Sequence, residues 1–319
     1  MQYRKLGSSD IKVSVLGMGC NNFGGRVDLE TTRRVIHHAI DAGINHFDTS
    51  DIYGGAGASE DHMGQVLGPR RKDIVLATKF GLPFNESMKG GGSRAYVMKA
   101  IEGSLKRLRT DYIDLYYLHK PDPSVPIEET LRALDDLVKQ GKVRAIANSN
   151  MTGTQVDEAD ATSRRLGIAR FVAAQDELSL IKRGTERDRL PAVEKNGLSL
   201  IPYFPLASGL LTGKYRRNAP APQGTRLSTA GRLADVFWND KNLELVYQLG
   251  DFCDRQKLNM LDVAFAWLLA KPSVGSVIAG AVKTDQIDAN VKACDFKLSA
   301  GDLAELDKIT SGALASQPH

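Results

Sequence analysis

Three separated segments of the chain carry side chains that could together handle a proton. Asp48 and Tyr53 lie in G-I-N-H-F-D-T-S-D-I-Y-G, and Lys79 and His119 each follow an apolar run. A tyrosine has a pKa near ~10, so it donates a proton poorly unless a nearby cation stabilises its phenolate. Lys79 could supply that charge, and Asp48 could keep Lys79 protonated. With His119 orienting a substrate oxygen, the combination predicts a proton donor aimed at a carbonyl oxygen.

Each of these residues also has a simpler structural interpretation. Asp48 could cap a helix or loop, and Lys79 could be a solvated strand end. Tyr53 and His119 could be packed structural side chains. The chemical interpretation therefore requires a fold that brings the ends of separate segments to one place. We expect Asp51, on the turn between Asp48 and Tyr53, to face outward as a cap or surface residue.

The elements that must position these residues alternate between strand-like and helix-like segments. Predicted strands cover 15–19, 45–47, 74–78, 114–118, 143–147, 171–174, 198–201 and 276–278. Predicted helices cover 28–42, 59–67, 93–108, 127–140, 152–166, 187–195, 242–256, 260–270 and 285–293, with Asp28 and Ser59 as N-caps. This α/β alternation favours a closed (β/α)8 TIM barrel. An N-terminal β-hairpin over 3–14 and an extra C-terminal helix over 298–309 complete the prediction.

The bulk properties of the 319 residues limit the classes of partner. No linker divides the chain, so we expect one barrel domain over 1–319. A net charge of +4 with scattered basic residues argues against a nucleic-acid partner. Three distant cysteines indicate a reducing compartment, and no signal peptide or membrane span is visible, which predicts a cytoplasmic protein. The adjacent His37 and His38 point in different directions, so no metal site is predicted. The sequence does not indicate an oligomeric state.

A set of motifs in order along nearly the whole chain resembles the aldo-keto reductase family. It comprises G-I-N-H-F-D-T-S-D-I-Y-G at 43–54, L-A-T-K at 76–79, Y-L-H at 117–119, G-K-V-R-A-I-A-N-S-N at 141–150, Gln175, I-P-Y-F-P-L-A-S-G-L-L-T-G-K-Y at 201–215 and G-A-V-K-T followed by Gln286 and Asn290. The resemblance implies a (β/α)8 barrel and reversible reduction of a carbonyl with a nicotinamide cofactor. It also implies that Tyr53 is the general acid, tuned by Asp48 and Lys79, and that His119 orients the substrate.

The cofactor site follows from the resemblance alone, because no G-x-G-x-x-G follows the first strand. The resemblance implies that Ser149, Asn150 and Gln175 hold the carboxamide and that Tyr203 stacks on the nicotinamide. The full set implied is Asp48, Ser149, Asn150, Gln175, Tyr203, Leu206, Ser208, Leu210, Lys214, Gly280, Lys283, Gln286 and Asn290. Many relatives carry arginine at the position of Gln286, where it grips the 2′-phosphate. Lys283 is the cation available in its place, so we expect NADP(H) rather than NAD(H).

The substrate and two rival functions remain open at this point. Aromatic and other residues could line an apolar pocket for aldehydes, ketones, the corresponding alcohols or sugar lactols; they are Asn21, Phe23, Ile52, Phe80, Phe84, Phe204 and Trp238. One alternative is a cofactor-binding regulatory or redox-sensing subunit with little turnover, like the potassium-channel β-subunits of the family. Another is a Schiff-base aldolase that uses Lys79 as its nucleophile.

Overall fold

Eight parallel strands form a nearly closed barrel in the computed structural model. The structure describes residues 1–315 except 216, 218, 221, 226, 229, 230 and the side chain of Arg232. The strands are β3 (Leu16–Gly19), β4 (His46–Asp48), β5 (Val75–Phe80), β6 (Ile113–Leu118), β7 (Val143–Ser149), β8 (Phe171–Glu177), β9 (Ser199–Tyr203) and β10 (Val277–Gly280). They pair in the order β10-β3-β4-β5-β6-β7-β8-β9. Hydrogen bonds from Leu200 N to Ser273 O and from Gly275 N to Leu200 O join the two ends. The predicted (β/α)8 barrel is confirmed.

Helices surround the strands and cover their outer faces. They are α1 (Leu29–Asp41), α2 (Ala58–Leu67), α3 (Arg94–Leu108), α4 (Ile127–Lys139), α5 (Gly153–Leu166), α6 (Thr185–Lys195), α7 (Arg232–Phe237), α8 (Asp240–Gln256), α9 (Met260–Leu269), α10 (Thr284–Ala293) and α11 (Ala300–Ile309). Short 3-10 segments cover Gly68–Asp73, Ala207–Thr212 and Ser311–Ala315. In the described part of the chain, no helix is both long and apolar enough to cross a membrane.

An antiparallel hairpin closes the end of the barrel opposite the C-terminal ends of the strands. Its strands are β1 (Tyr3–Lys5) and β2 (Lys12–Ser14), as predicted. Leu6 and Val13 are fully buried and belong to the same apolar cluster as the inward-facing Ala77 and Leu115. Gly7 N donates to Ser199 Oγ (2.9 Å), which fixes the hairpin to the start of β9. The hairpin therefore closes this end of the barrel, and the candidate site residues lie at the other end.

Of the two predicted helix N-caps, that of α1 is observed and that of α2 is wrong. Asp28 caps α1 by accepting from Thr31 N (2.8 Å). Helix α2 instead begins after Gly57, whose φ of +84° suits glycine. Ser59 is fully buried, and its hydroxyl donates to Cys20 O (2.8 Å). The serine therefore ties α2 to the loop after β3 rather than capping the helix.

Several strands run further than predicted, and the added residues include several of the candidate site residues. β5 reaches Phe80, β7 reaches Ser149 and β8 reaches Glu177. Polar residues at these positions resemble loop in the sequence, yet pairing with neighbouring strands keeps them extended. The candidate site residues on these strands are consequently held by sheet hydrogen bonds.

Candidate active site

The turn after β4 returns the chain so that Tyr53 lies close to Asp48. Tyr53 N donates to Ser50 O (3.1 Å), and Ser59 N donates to Tyr53 O (3.1 Å), which fixes the turn at both ends. Gly54 has a φ of +74°, and a Cβ there would lie 2.3 Å from Phe23 O. Only glycine fits this approach. The sequence D-T-S-D-I-Y-G therefore places the carboxylate and the phenol at one end of the barrel.

Asp48 and Lys79 form a buried ion pair. Lys79 Nζ donates to Asp48 Oδ2 (2.6 Å) and to Thr49 O (2.8 Å), and the lysine side chain has no exposed surface. Burial alone would lower the pKa of Lys79, but Asp48 and Tyr53 outweigh it and raise that pKa above its usual value. The lysine is therefore a fixed positive charge within the barrel.

The Tyr53 ring lies beside this charge. Lys79 Nζ is 4.9 Å from the centre of the ring. Burial raises the pKa of Tyr53, Lys79 lowers it and Asp48 raises it, and the net shift is upward. As expected, Lys79 lowers the pKa of Tyr53 and so favours the phenolate, but burial raises this pKa by more. The phenol therefore keeps its proton, and Lys79 reduces the cost of losing it.

His119 lies across from Tyr53, and its ring is almost completely buried. The two ring centres are 5.9 Å apart with the rings nearly perpendicular. Burial, with a further contribution from Lys79, holds the pKa of His119 well below its usual value. The imidazole is therefore neutral and carries one N–H. Its Nδ1 lies 3.2 Å from Ser50 Oγ, which leaves Nε2 available to a bound molecule.

The polar residues at the ends of β7, β8 and β9 form one hydrogen-bonded network. Ser149 Oγ donates to Gln175 O (2.7 Å), and Gln175 Nε2 donates to Asp48 Oδ1 (2.8 Å). Tyr203 OH donates to Asn150 Oδ1 (2.9 Å). The structure therefore brings these four predicted cofactor residues together and links them to the Asp48–Lys79 pair.

A strained segment after β9, residues 207–209, contains one more predicted cofactor residue, Ser208, and lies beside another, Lys214. Ala207, Ser208 and Gly209 have successive positive φ angles of 45°, 57° and 99°, and for the two non-glycine residues this conformation is unfavourable. Ser208 Oγ is buried and makes no hydrogen bond to any described residue. A Cβ on Gly209 would lie 3.3 Å from Lys214 Nζ, so the ammonium covers this segment. An orphaned hydroxyl beside a cation fits a phosphate group.

Leu206 and Leu210 flank this segment on the apolar side. Leu210 is fully buried and Leu206 is partly buried, and both pack on the core between strands and helices. They anchor the segment and offer no polar contact.

The start of α10 presents the remaining predicted cofactor residues. Gln286 Oε1 accepts from Val282 N (2.9 Å) and Lys283 N (3.3 Å), while Lys283 is exposed. Asn290 is buried one turn further along the helix, and Gly280 ends β10 in an exposed position. A helix N-terminus with an adjacent lysine fits an anionic group.

Two of the residues predicted to line the substrate pocket are enclosed in the core. Phe23 and Phe80 are fully buried in the core, and Phe80 stacks on Tyr116 at 4.8 Å, so neither side chain can line an open pocket. The others have some exposed surface: Asn21, Ile52, Phe84, Phe204 and Trp238. Phe204 contacts the Tyr203 ring edge-to-face at 5.4 Å. The partly exposed aromatic surface therefore extends from Tyr203 to Phe204 and does not include the buried Phe23 and Phe80.

The prediction that Asp51 faces outward is wrong. Asp51 is only 1% exposed, and Ser50 Oγ donates a hydrogen bond to Asp51 Oδ1 (3.1 Å). The charged groups that act on its carboxyl group lie on α2, α3 and β5, and the local sequence does not reveal that these elements come close to it. Sequence reasoning also missed Ser50, which contacts both Asp51 and His119. The available signal was its place between two acids in D-T-S-D.

Residues 15–311 match the family model described as "Aldo/keto reductase family". The chain belongs to this family. It is 36% identical over 330 residues to the "Uncharacterized oxidoreductase YrpG" of Bacillus subtilis (strain 168), covering 100% of this chain and 98% of that protein. It is 32% identical over 328 residues to the "L-glyceraldehyde 3-phosphate reductase" of Escherichia coli (strain K12), covering 98% and 94%.

A relative of a different named role also belongs to this comparison. The chain is 36% identical over 301 residues to the "Probable voltage-gated potassium channel subunit beta" of Oryza sativa subsp. japonica, covering 92% of each chain. Family membership therefore includes proteins named as oxidoreductases and proteins named as channel subunits.

Proposed function

We propose that this protein is an NADP(H)-dependent oxidoreductase that reversibly reduces an aldehyde or ketone, with Tyr53 as the general acid and base. The observation that carries the proposal is the buried Asp48–Lys79 pair beside the Tyr53 phenol at the open end of the barrel. The named oxidoreductases among its relatives support the same reaction class.

Tyr53 donates its proton to the carbonyl oxygen as negative charge develops there. Because its pKa is raised, the phenol is fully protonated near neutral pH. The phenolate left behind is stabilised by the Lys79 ammonium, which Asp48 keeps charged. In alcohol oxidation the same groups act in reverse, and Tyr53 accepts the proton.

His119 orients the substrate oxygen toward Tyr53. A neutral imidazole forms a directed hydrogen bond without adding a second charge near Lys79. The perpendicular rings of Tyr53 and His119, with centres 5.9 Å apart, leave their polar atoms free to converge on one oxygen.

A bound nicotinamide cofactor would supply or accept the hydride. Ser149, Asn150, Gln175 and Tyr203 would hold its nicotinamide end, because they form a rigid polar network joined to Asp48. The Ser208–Lys214 segment would hold the pyrophosphate. Lys283, together with Gln286 and Asn290 further along α10, would hold the adenosine end. The positive charge of Lys283 favours the 2′-phosphate.

The aldolase alternative is disfavoured by the state of Lys79. A Schiff-base nucleophile must be a neutral amine that a carbonyl carbon can reach. Lys79 is fully buried, donates two hydrogen bonds and has a raised pKa. It is held as an ammonium ion facing Asp48, which suits electrostatic stabilisation and opposes nucleophilic attack.

The regulatory-subunit alternative is favoured by the channel-subunit names among the relatives. Such a protein would bind the cofactor and turn over slowly. Steady-state and single-turnover experiments separate the two: an enzyme completes many turnovers, whereas a regulatory subunit completes few or none on the same time scale.

The test is a screen of aldehydes, ketones and alcohols with both phosphorylated and unphosphorylated cofactors, followed by the absorbance of the reduced nicotinamide. The panel includes glyceraldehyde 3-phosphate, because one relative is named for its reduction. We expect repeated turnover of at least one carbonyl with NADPH. Cofactor binding without turnover of any panel member would support the regulatory alternative instead.

A further inference from the structure

Asp51 is a buried acid that the proposed reaction does not use. It lies on the turn between Asp48 and Tyr53, and its carboxyl group points into the protein. The titratable and charged groups that interact with it are Lys79 on β5, Glu60 on α2, Arg107 and Tyr96 on α3, and Tyr116 on β6. His119 is linked to it through Ser50. Glu60 is itself bonded to Arg107 (2.7 Å), so that cation is shared rather than dedicated to Asp51. Among the described residues, the hydrogen-bond partner recorded for the Asp51 carboxyl group is Ser50.

The Ser50 hydroxyl lies between Asp51 and His119. Its Oγ is 3.1 Å from Asp51 Oδ1 and 3.2 Å from His119 Nδ1, and Ser50 has no exposed surface. A hydroxyl has one proton, so it can donate to only one of these two neighbours at a time. The other neighbour must then donate to Ser50 Oγ. The protonation of Asp51 and the tautomer of His119 are therefore coupled through Ser50.

With any proton of Asp51 held on Oδ1, the oxygen that faces Ser50, two arrangements satisfy this geometry. With Asp51 ionised, Ser50 donates to the carboxylate, His119 Nδ1–H donates to Ser50, and Nε2 is left as an acceptor. With Asp51 protonated, its O–H donates to Ser50, Ser50 donates to His119 Nδ1, and Nε2 carries the N–H. Between the protonated and ionised arrangements, Asp51 and Nε2 each lose a proton and Nδ1 gains one. One proton is released in total.

The two states of Nε2 differ in what they offer a substrate oxygen. A carbonyl oxygen accepts a hydrogen bond and requires Nε2–H, whereas a bare Nε2 offers no donor and competes with Tyr53 for the hydroxyl proton of an alcohol. Because His119 is neutral, it cannot present an N–H at both nitrogens at once.

We propose that Asp51 is a positioning residue that acts through Ser50 to set the tautomer of His119, and thereby to select whether the site presents Nε2–H to a substrate oxygen. This inference rests on the proposed function for its consequence in catalysis, but the coupling itself depends only on the three side chains.

Asp51 changes protonation within the range that matters for this selection. Burial and the nearby Glu60 raise the pKa of Asp51 to about 7, against opposing effects of Ser50, Arg107 and Lys79. Below that value the protonated arrangement presents Nε2–H to a carbonyl oxygen, and above it the ionised arrangement removes this hydrogen bond.

The direct test reads the tautomer without any turnover. Protein labelled with ¹⁵N-histidine gives long-range proton–nitrogen spectra in which protonated and bare ring nitrogens have distinct shifts. The chain has six histidines, so a His119→Gln variant assigns the signal. Between about pH 5 and about pH 9, we expect His119 Nδ1 in the wild type to change from bare to protonated with a midpoint at about 7.

Three variants make the result specific. Asp51→Asn and Ser50→Ala should each abolish the pH-dependent change of the His119 tautomer, here called the switch. The first variant removes the titrating carboxyl group, and the second removes the hydroxyl that connects it to His119. Asp176→Asn is the matched control, since burial also raises the pKa of Asp176 to about 7 but its salt-bridge partner is Arg189, away from Ser50. It should leave the switch intact. Thermal unfolding checks that each variant is folded.

One tautomer throughout the wild-type titration, or an unchanged switch in the Asp51→Asn variant, would overturn the proposal. Initial rates give the second readout: kcat/KM for carbonyl reduction should fall as the pH rises through about 7 in the wild type and lose this step in Asp51→Asn. If the protein shows no turnover at all, the proposed function fails, while the spectra still decide the coupling.

Discussion

Asp48 joins the proton-donating group to the residues proposed to hold the cofactor. Its Oδ2 accepts from Lys79 Nζ (2.6 Å) and its Oδ1 accepts from Gln175 Nε2 (2.8 Å). Both carboxylate oxygens are thus fixed, and the lysine charge is aligned by the same group that orients the amide. Catalysis and cofactor placement are therefore expected to respond together to changes at this residue.

The Asp48–Lys79 pair should behave as one unit in a double-mutant cycle. Asp48→Asn and Lys79→Met should each lower kcat/KM for reduction by roughly 10²-fold or more, because either change removes the charge that stabilises the Tyr53 phenolate. The double variant should lose little more than the worse single variant. Losses that multiply would show that the two residues act independently.

Cofactor choice should depend on Lys283. A charge-assisted contact of ~1.5–3 kcal/mol to the 2′-phosphate corresponds to roughly 10- to 150-fold preference for NADPH over NADH. Lys283→Ala should remove most of this preference and leave NADH affinity nearly unchanged, as measured by fluorescence titration. Lys292→Ala, near the other end of α10, is the matched control. An equal effect of the two variants would mean that Lys283 has no specific role.

The stability of the protein should depend on pH through Asp51. Its pKa of about 7 in the folded state lies above the ordinary value of 3.8, so the unfolded chain releases this proton first. Asp51 therefore lowers the free energy of unfolding as the pH rises from about 4 to about 7, by at most roughly 4 kcal/mol.

Asp51→Asn removes this titration. Relative to the wild type, the variant should gain stability as the pH rises across that range and keep a constant difference above about 7. Urea unfolding of both proteins at several pH values measures the difference. A difference that does not change with pH would contradict the raised pKa.

The close packing of α2 on α3 should make Gly64 intolerant of a side chain. A Cβ at Gly64 would lie 2.1 Å from Arg107 O, a backbone atom that cannot move away cheaply. Gly64→Ala should destabilise the protein by about 1–3 kcal/mol or more. Gly301→Ala in α11 is the control, because its nearest neighbour would be Ser299 Oγ at 3.8 Å. Similar urea midpoints for the two variants would contradict this packing argument.

The barrel and the convergence of Asp48, Tyr53, Lys79 and His119 could be predicted from the sequence. Alternating strands and helices determine which ends of the segments meet, and side-chain types at those ends suggest the chemistry. Burial could not be predicted, because it depends on which helix covers a residue. Asp51 is buried near charged groups on α2, α3 and β5, and the core encloses Phe80, although both residues look accessible from the sequence alone.

The net shift of the Tyr53 pKa could not be predicted from the sequence for the same reason. The pattern indicates that Lys79 favours the phenolate, but the size of the opposing burial effect depends on the packed structure. The tautomer of His119 likewise depends on Ser50, whose two contacts join positions far apart in the chain.

The most direct measurement compares Tyr53→Phe with the wild type in single-turnover reduction of the best carbonyl substrate. The variant keeps the ring beside Lys79 and removes only the hydroxyl, so we expect cofactor affinity to be retained and the rate to fall by about 10²- to 10⁴-fold. A variant that reduces the same substrate at nearly the wild-type rate would show that Tyr53 is not the proton donor.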